Sequence, residues 1–572
     1  MKIIYLVFNI QQYQKMNIVN YLLYIFFKKE ATNTGILVLL SLLITLIQTN
    51  GISYITANII QSVEQNSKKM TMEFFNYFIA LSALYFVIYY IYKTYQNNLI
   101  TKLIQWVKKE LFRIILKSNN ENMKDVNFIE FITPITRISV SFYALFYDII
   151  SVIIPTTAFL LIISSYFIYK NPVFGISFLI ANLVLFFYIY ANWNNLRKAK
   201  NDQETVINEN EKFIIDILNN IDKVIYRGET VNEINNFTTL TDKAINEGIN
   251  FLDTITTHTS ILTFFVYIII FVSLFYLIQL QYTKKIKTTT FITFITILLL
   301  YRDKIVSTIN NLPDWLEFIG RIEYITTDFN KMLGNEVDIN ELMNKRYNSH
   351  DLKFNNIIFD NVTFYYESKK TTPVFSNSSF SINTDQKIIG ITGLSGKGKS
   401  SFAKLLLRLY DPVSGKIYID GVDISTIDPD YIRQNITYVN QNSKLFDKKI
   451  MDNIMYGCKD PEICEIFLKE IMKYPKIQGL YKNVDIYNSN AGSLGENLSG
   501  GQRQVVNIIS GLISTSKILI LDEPTNALDI ELKDEIIQLI DDFRKYKNCI
   551  IIISHDKDTF RLFDETLNLN NN

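Results

Sequence analysis

The segment Ile388–Ser401 reads IIGITGLSGKGKSS and joins a short β-branched run to a glycine-rich loop. Helix-forming sequence follows from Lys399, so the loop has the strand, loop and helix context that the pattern G-x-x-x-x-G-K-[ST] requires. Glycines allow backbone N–H groups to approach a polyphosphate, and the following helix directs its positive end at the same place. The segment therefore predicts a polyphosphate-binding loop.

Within this loop we expect Lys399 to bridge the β- and γ-phosphates and the Ser400 hydroxyl to hold Mg²⁺. A glycine-rich turn that arises by chance is the alternative, but the run before the loop and the helix after it favour the phosphate site. The predicted nucleotide-contacting residues of the loop are Gly393, Leu394, Ser395, Gly396, Lys397, Gly398, Lys399, Ser400 and Ser401.

Length and charge divide the chain into two unlike parts. Its 572 residues exceed one ordinary domain, and the net charge of +1 gives no argument for nucleic acid as a partner. Long apolar stretches crowd the first part, whereas charged residues crowd the last part. This asymmetry predicts a membrane-embedded half followed by a soluble half.

The cysteines Cys458, Cys464 and Cys549 all lie in the soluble half. Their spacing matches neither a disulfide framework nor a zinc site. We therefore expect free thiols in a reduced compartment.

The first half contains about six apolar stretches that are long enough to cross a bilayer as helices. Short links join the first to the second, the third to the fourth and the fifth to the sixth, whereas the other two links are long. The stretches lie near Ile36–Ile60, Phe74–Tyr92, Phe142–Tyr169, Val173–Ala191, Ser260–Leu280 and Thr290–Ile309.

The two long links, Lys93–Ser141 and Asn192–Thr259, are helical in character and rich in lysine and arginine. Because basic loops favour the cytosolic face of a membrane, we place both links on the cytosol-equivalent side. The soluble half that follows falls on that side too. The chain is thus expected to be a multi-pass protein of a lipid bilayer.

Four segments follow from these patterns. Residues 1–32 form an N-terminal segment, in which Asn17–Phe27 suits a helix on the membrane surface or a frayed tail. Residues 33–330 hold the six-helix transmembrane domain, and 331–351 form a polar linker. Residues 352–572 alternate strand-like runs with hydrophobic helices, which is typical of an α/β domain.

Asp148 lies in the third apolar stretch, and an ionisable group inside a membrane is a functional candidate by default. If the third helix extends beyond the bilayer, Asp148 instead faces water, and both alternatives stay open. Pro155, further along the same stretch, predicts a kink in that helix. We therefore keep Asp148 as a candidate cargo contact.

The segment Ile518–Glu523, ILILDE, predicts the second half of the nucleotide site. Its apolar residues suit a buried strand, and Asp522 at the strand end suits the coordination sphere of Mg²⁺. Glu523 follows directly and is expected to polarise a water for in-line attack on the γ-phosphate. An acidic pair that merely ends a strand is the alternative, which the loop at Gly393 disfavours.

The heptapeptide LSGGQRQ occupies Leu498–Gln504, between the phosphate loop and the acidic strand end. With this heptapeptide the chain resembles the ATP-binding cassette family. The resemblance implies a multi-domain fold, in which an all-α six-helix transmembrane exporter domain is followed by an α/β P-loop ATPase domain. It also implies ATP and Mg²⁺ as cofactors.

Further family motifs imply roles for individual residues. Tyr366 matches the aromatic residue that stacks on adenine, with Tyr365 as a rival. Gln441 matches the glutamine that senses the γ-phosphate and joins the metal site. His555 matches the switch histidine that contacts the γ-phosphate; a lone histidine after a strand is usually structural, but its spacing behind Glu523 favours the functional role. The remaining matches are the interface loop Asn526, Ala527, Leu528 and Asp529, and the residues Ser499, Gly500, Gly501 and Gln502, which would face ATP bound to a partner cassette.

Six crossings ahead of a single cassette resemble an exporter half-transporter. In this family each ATP lies between the phosphate loop of one cassette and the LSGGQ segment of the other. The resemblance therefore implies a homodimer, or a pair with a related half-transporter, that uses ATP to drive alternating access. Two transverse helices, near Asn122–Ile132 and Asp222–Glu233, are expected to dock on the cassettes.

One short triplet in the sixth apolar stretch bears on the cargo. The triplet Tyr301–Arg302–Asp303 is similar to one in mitochondrial-type half-transporters, which are thought to export glutathione-linked sulfur compounds for iron–sulfur assembly. Arg302 suits a small-molecule or peptide-like carboxylate, or it snorkels to the interface. The absence of an Arg-rich presequence argues against standard import into a mitochondrion-type organelle. A general lipid, peptide or drug exporter stays open as the alternative.

Rival classes of protein share part of these features. A soluble cassette protein that acts on nucleic acid would carry the same ATPase motifs, but the apolar stretches contradict it. An ATP-gated channel or an inactive regulatory subunit would share the topology. Glu523 and His555 are both present, which favours turnover of ATP.

Overall fold

The computed structural model divides the chain into two units. The first comprises Met1–Ile115 and Asp125–Leu342, and the second comprises Leu116–Lys124 and Met343–Asn572. The first unit is helical, and the second contains both β-sheets. The structure describes residues 18–123, 132–333, 338–366, 372–394, 396–441, 444–526 and 528–569.

Some sequence predictions fall outside the described residues. These are Ser395 in the phosphate loop, Ala527 in the interface loop, the first part of the segment 1–32, and most of the transverse helix near Asn122–Ile132.

Long helices form most of the first unit, in keeping with its apolar sequence. Two π-helical turns, Ile47–Ile52 and Ile149–Ile153, interrupt them. The helices up to the first strand are α1 Ile18–Lys29, α2 Ala31–Leu46, α3 Ser53–Glu64, α4 Lys68–Glu121, α5 Ile132–Asp148, α6 Ile154–Lys170, α7 Pro172–Asn219, α8 Ile221–Arg227, α9 Thr230–Tyr282, α10 Thr288–Asn310, α11 Leu312–Leu333 and α12 Ile339–Asn344.

Within the described residues, five helical segments are long and apolar enough to cross a membrane. The sixth predicted crossing coincides with α10, which is helical but carries Arg302, Asp303 and Lys304 near its middle. These charges lower its mean hydropathy, so the sixth crossing stays a prediction. The five segments are Ala31–Glu64, Lys68–Glu121, Ile135–Lys170, Pro172–Asn219 and Thr230–Tyr282.

Pro155, where the sequence predicts a kink, lies two residues after the π-helical turn Ile149–Ile153. Proline has no backbone N–H, so the helix cannot make its regular hydrogen bond there. A π-helical turn changes that hydrogen-bonding pattern locally. Asp148 lies directly before this turn.

The core of the first unit is rich in aromatic side chains. The ring centroids of Phe167 and Phe294 lie 4.5 Å apart, and those of Phe178 and Tyr301 lie 5.0 Å apart. The Tyr301 hydroxyl donates to Asn182 Oδ1 at 2.9 Å, which satisfies its polar group inside the core. Tyr301 therefore packs α10 against α7.

Two sheets form the second unit. The first has the order β2-β1-β4-β5, and the second has the order β6-β7-β8-β3-β9 with parallel pairing throughout. The strands are β1 Asn356–Phe364, β2 Phe375–Asn383, β3 Lys387–Thr392, β4 Ser414–Ile419, β5 Val422–Asp423, β6 Ile436–Val439, β7 Ile518–Asp522, β8 Cys549–Ile553 and β9 Glu565–Asn568.

The parallel sheet has apolar core on both faces, which explains why β7 and β8 are continuous runs of buried residues. Because β7, β8 and β3 are neighbours, the loops that follow them meet at one edge. The helices of this unit are α13 Lys399–Leu406, α14 Pro429–Asn435, α15 Ile450–Ile454, α16 Pro461–Ile471, α17 Pro475–Leu480, α18 Gly500–Ile513 and α19 Ile530–Phe543.

The segment Leu116–Lys124, at the end of α4, belongs to the second unit. Glu121 accepts a hydrogen bond from Lys345 Nζ at 2.9 Å and lies 3.6 Å from the Arg408 guanidinium. Arg433 donates to the Asn120 carbonyl at 2.9 Å. Charge-assisted contacts of this kind fix the segment to other residues of the second unit.

The prediction of unpaired cysteines is wrong for two of the three. Cys458 and Cys464 form a disulfide, and only Cys549 is a free, buried thiol. The pair is close because the chain turns at Asp460 and Pro461 and starts α16 there. In the described part of the chain, no group of histidine, cysteine and acidic residues could hold a metal ion such as zinc.

Candidate ATP-binding site

The phosphate loop connects β3 to α13, as the sequence predicts. Gly396 and Gly398 have φ angles of 83° and 89°, which lie in the left-handed region that favours glycine. A Cβ atom on Gly398 would also come within 2.6 Å of Val374 Cγ1. Glycine is thus required at Gly398 both by its backbone conformation and by the space around it.

Lys399 begins α13, and its amine is held beside the loop. Its Nζ donates to the Gly393 and Leu394 carbonyls at 3.0 and 3.2 Å, and it lies 2.7 Å from His555 Nε2. Because an ammonium group can only donate, the histidine nitrogen accepts. Burial lowers the pKa of Lys399, and the nearby Glu523 and Asp522 carboxylates oppose this effect.

Two of the predicted metal ligands are brought together. The Ser400 hydroxyl donates to Asp522 Oδ2 at 2.8 Å, and the Tyr438 hydroxyl donates to the same oxygen at 2.8 Å. Asp522 is buried at the end of β7. Oxygen ligands of this type fit Mg²⁺. Gln441, the third predicted ligand, lies on an exposed turn after β6.

Glu523 follows Asp522 with a φ angle of 52°, which is unusual for a residue with a side chain. The His555 backbone N–H donates to Glu523 Oε2 at 3.4 Å, and the His555 ring lies 3.9 Å from the other carboxylate oxygen. Burial raises the pKa of Glu523, whereas the His555 N–H opposes this effect. Two of the three predicted catalytic residues, Glu523 and His555, are therefore neighbours at the edge of the parallel sheet, and the third is Gln441.

Tyr366 contacts the helix that follows the phosphate loop. Its hydroxyl lies 2.9 Å from Ser401 Oγ, and its ring packs edge-on against Tyr410 at 5.4 Å. The amine of Lys404 lies 5.6 Å from the ring centroid. The predicted adenine-stacking residue is thus close to the loop, and Tyr365 stays the alternative.

The LSGGQ segment forms the start of α18. Ser499 is its N-cap, and Ser499 and Gln502 form a reciprocal capping box. The Gln502 side chain also donates to the Leu480 carbonyl at 3.0 Å. Ser499 and Gly500 are exposed, and a Cβ atom on Gly500 would meet open space. This end of α18 is therefore free to receive a ligand or another chain.

The predicted cargo contacts lie in the first unit. Arg302 is 43% exposed and pairs with the adjacent Asp303, with 2.8 Å between their charged atoms. Asp148 accepts a hydrogen bond from the Trp315 indole at 3.2 Å. Both ionisable groups therefore have partners within their own unit.

Sequence reasoning missed two residues that hold the site. Tyr438 reaches Asp522 from the neighbouring strand β6, and Gln504 Nε2 donates to the Glu523 carbonyl at 3.3 Å. The only sequence signal for Tyr438 is its place three residues before Gln441. Gln504 is the last residue of the LSGGQRQ heptapeptide, so the heptapeptide also supports the turn at Glu523 in its own chain.

Comparison with known proteins shows which family the chain belongs to. The profile described as ABC transporter matches residues 375–526, and the profile described as ABC transporter transmembrane region matches residues 33–304. Together they account for more than half of the chain, which belongs to the ABC transporter family. The matched regions are the ATPase and membrane parts of ATPase-coupled transmembrane transporters, and the predicted fold class is confirmed.

Individual relatives match over little more than a third of the chain. The chain is 34% identical over 200 residues to multidrug resistance protein pgp-1 of Caenorhabditis elegans, over 35% of this chain and 15% of that protein. It is 35% identical over 217 residues to ATP-binding cassette sub-family B member 5 of Mus musculus, over 38% of this chain and 17% of that protein. The chain thus covers less than a fifth of the length of these two curated relatives.

A solved structure shares the fold along nearly the whole chain. It is a bacterial Atm1-family ABC exporter with ATP bound, with a TM-score of 0.78 and 19% identity. The match covers 95% of this chain and 94% of that one. At this identity the likeness concerns the fold alone.

Proposed function

We propose that the chain is one half of an ATP-driven exporter, which hydrolyses ATP at two composite sites after pairing with a second half. One observation carries the proposal. The groups suited to phosphate and to hydrolysis converge around Lys399, Asp522 and Glu523, whereas Ser499 and Gly500 at the start of α18 are exposed and face open space. A second chain would supply this missing face to each ATP.

In the proposed site, the loop from Gly393 to Ser401 binds the phosphates through backbone N–H groups and Lys399. Ser400 and Asp522, with Gln441, would hold Mg²⁺, which when bound neutralises charge on the β- and γ-phosphates. The close approach of the Ser400 hydroxyl and the Asp522 carboxylate supports this assignment.

Glu523 would act as the general base. Its raised pKa makes the carboxylate a better proton acceptor, and the His555 N–H fixes the orientation of one of its oxygens. The other oxygen can then take a proton from a water aimed at the γ-phosphate. The His555 imidazole lies 2.7 Å from the Lys399 amine, so it would be free to contact the same phosphate once Lys399 binds phosphate instead of the ring nitrogen.

An exposed apolar tip supports pairing with a second chain. The short helix α8 and the start of α9 carry Ile225, Tyr226 and Val231, which are 59%, 83% and 68% exposed. Apolar clusters of this kind mark interaction sites in soluble parts of proteins. The tip covers the predicted transverse helix Asp222–Glu233, which the structure divides at Gly228 into α8 and the start of α9. We propose that it docks on the cassette of the partner.

For the cargo we propose a glutathione-linked sulfur compound, on the strength of the Tyr301–Arg302–Asp303 triplet. Its tyrosine is committed to the core, so Arg302 is the residue of the triplet that a cargo carboxylate would contact, in competition with Asp303. A general lipid, peptide or drug exporter is the second candidate, because one relative is a multidrug resistance protein.

Glu523→Gln tests the catalytic proposal because it keeps the shape and removes the base. We expect ATP binding to persist and steady hydrolysis to fall about 10²- to 10⁴-fold. The exposed Glu470→Gln variant is the matched control and should hydrolyse ATP normally. Full hydrolysis by Glu523→Gln, or full hydrolysis by a strictly monomeric sample, would refute the proposal.

Vesicle experiments separate the transporter from its rivals. ATP-gated ion current through Glu523→Gln would favour a channel, whereas loss of cargo uptake supports a transporter. ATPase stimulation across glutathione derivatives, lipids and peptides then identifies the cargo. If glutathione disulfide neither stimulates hydrolysis nor is moved, the sulfur-compound proposal is wrong.

A further inference from the structure

The disulfide between Cys458 and Cys464 closes the turn that leads into α16. Their Cα atoms are 6.5 Å apart. Cys464 lies in the first turn of α16 and is fully buried, whereas Cys458 is only partly buried. A reagent in solution can therefore reach Cys458 first, and Cys464 only through Cys458.

Both sulfurs also have acceptors that suit free thiols. Cys458 Sγ lies 3.1 Å from the Asp460 carbonyl, and Cys464 Sγ lies 3.3 Å from the Ile513 carbonyl. A thiol is a weak donor, so each carbonyl can receive a hydrogen bond after reduction. The surroundings of the pair therefore accommodate the reduced state as well as the bridged one.

The soluble half is predicted to face the cytosol-equivalent side, where glutathione-type reductants keep structural disulfides rare. Bridges that do occur on such a side are usually transient and regulatory. We propose that Cys458 and Cys464 form a reversible thiol–disulfide site that reacts with low-molecular-weight disulfides and adjusts ATP turnover through α18. Its effect on turnover depends on the function proposed above.

The exchange balances without a metal or cofactor. The Cys458 thiolate attacks one sulfur of a disulfide RSSR, which forms a mixed disulfide and releases RS⁻. Cys464, as its thiolate, then attacks the Cys458 sulfur, closes the bridge and releases the second RS⁻. Two thiols are oxidised, one disulfide is reduced to two thiols, and the two protons pass to the released RS⁻ groups. Excess RSH runs the same steps backwards.

The Cys458–Cys464 pair lies next to the last turns of α18. Cys464 faces the Ile513 carbonyl at the end of this helix, and the Ser510 hydroxyl donates to the Tyr456 carbonyl at 3.5 Å, two residues before Cys458. The helix has 14 residues and is thus about 20 Å long. It carries Gln504, which bonds the Glu523 carbonyl, and its N-cap is Ser499.

A helix transmits a shift at one end to the other because its backbone is hydrogen-bonded along its length. Closing the bridge fixes the turn from Tyr456 to Asp460 and the start of α16, both of which contact α18. The redox state should therefore affect the position of Ser499 and of Glu523. We expect it to alter the rate of hydrolysis more than the binding of nucleotide to one cassette.

Counting thiols in the full-length protein tests the exchange. The protein in lipid nanodiscs is equilibrated with mixtures of glutathione and glutathione disulfide, quenched with acid, denatured and alkylated. The sequence has 3 cysteines, so we expect three labelled sulfurs under reducing conditions and one under oxidising conditions, with full reversal. Three labels at every ratio, or one label at every ratio, would overturn the proposal.

ATPase rates in the same samples test the regulatory role. We expect the two redox states to differ by about fivefold, the lower end of typical coupling between sites. Cys458→Ser and Cys464→Ser should each abolish the difference, whereas Cys549→Ser, the matched control, should retain it. Equal rates in two states with different thiol counts would overturn regulation. Absence of hydrolysis in both states would instead refute the proposed function, while the thiol counts still decide the exchange.

Discussion

Lys547 is a buried lysine whose titration should be visible in the stability of the cassette. It is 3% exposed, and its amine donates to the Ser514 carbonyl, to the Ser514 hydroxyl at 3.2 Å and to the Ser516 carbonyl at 3.3 Å. These groups follow the C-terminal end of α18. Burial lowers the pKa of Lys547 from 10.5 to about 7.

The sign of the pH effect follows from proton counting. Between about pH 7 and 10.5 the unfolded chain holds the Lys547 proton, whereas the folded chain has released it. The free energy of unfolding therefore rises with pH through this window, by up to about 1.4 kcal/mol per pH unit. Over the whole window the gain amounts to about 5 kcal/mol, and below pH 7 this residue adds no slope.

The assay compares the wild type with Lys547→Met, which keeps the length of the side chain and removes the titrating group. Thermal unfolding of the cassette is followed at pH 7, 8 and 9 in the full-length protein. A difference of 1 kcal/mol shifts the midpoint of a domain of this size by about 2–4 °C. We expect the wild type to gain up to about 3–6 °C per pH unit relative to the variant.

Only the difference in slope is compared, because Lys547→Met also leaves carbonyl groups without a donor and lowers stability at every pH. Other lysines and tyrosines titrate in both proteins and cancel in the difference. Parallel midpoints for the two proteins from pH 7 to 9 would mean that Lys547 stays charged in the fold, and the burial argument would be wrong.

Two further predictions concern the site and its coupling to the membrane half. Tyr438→Phe should weaken binding of Mn²⁺, used as a probe for Mg²⁺, by about 10- to 100-fold, because the hydroxyl that orients Asp522 is lost. Electron paramagnetic resonance measures the Mn²⁺ affinity, and Tyr418→Phe is the control. Unchanged affinity in Tyr438→Phe would refute the proposed role of Tyr438. Tyr226→Ser should leave basal hydrolysis intact and reduce cargo stimulation at least about fivefold. Tyr282→Ser, at an equally exposed tyrosine, is its control, and equal stimulation in both would contradict docking through α8.

The local parts of the nucleotide site could be predicted from the sequence because their geometry is local. The phosphate loop needs a strand, left-handed glycines and a helix in immediate succession, and all three are encoded between Ile388 and Leu406. Asp522 and Glu523 could be assigned because a run of buried residues ends directly before them. The apolar stretches likewise predict membrane-spanning helices by their length alone.

Contacts that depend on tertiary register could not be predicted in this way. Tyr438 lies opposite Ile520 in the pairing of β6 with β7, and only this register brings its hydroxyl to Asp522. Cys458 and Cys464 are separated by 6 positions, a spacing that would put them about 20 Å apart along a strand and on different sides of a helix. Their approach depends on the turn at Asp460, which sequence spacing does not report.

In the membrane half, too, long-range contacts could not be predicted from the sequence. From the sequence alone, Asp148 in the third predicted crossing could face either water or the bilayer. The structure gives Asp148 a partner, Trp315, from a helix that lies far away in sequence. Likewise, Tyr301 belongs to the core through Asn182, although its triplet suggests a cargo site. In both cases the motif identifies the residue, and the long-range partner decides what the side chain can do.

The contacts of α18 explain why hydrolysis, pairing and redox state should be linked. Its first turn presents Ser499 to open space, and its middle supports the Glu523 turn through Gln504. Its last turn faces Cys464, and the carbonyls beyond it are held by Lys547. A partner chain bound at the exposed end would act on the same rigid element that supports Glu523, the proposed general base. A group that moves the C-terminal end of α18 should therefore affect both pairing and hydrolysis. The residues to test at this end are the cysteine pair and Lys547.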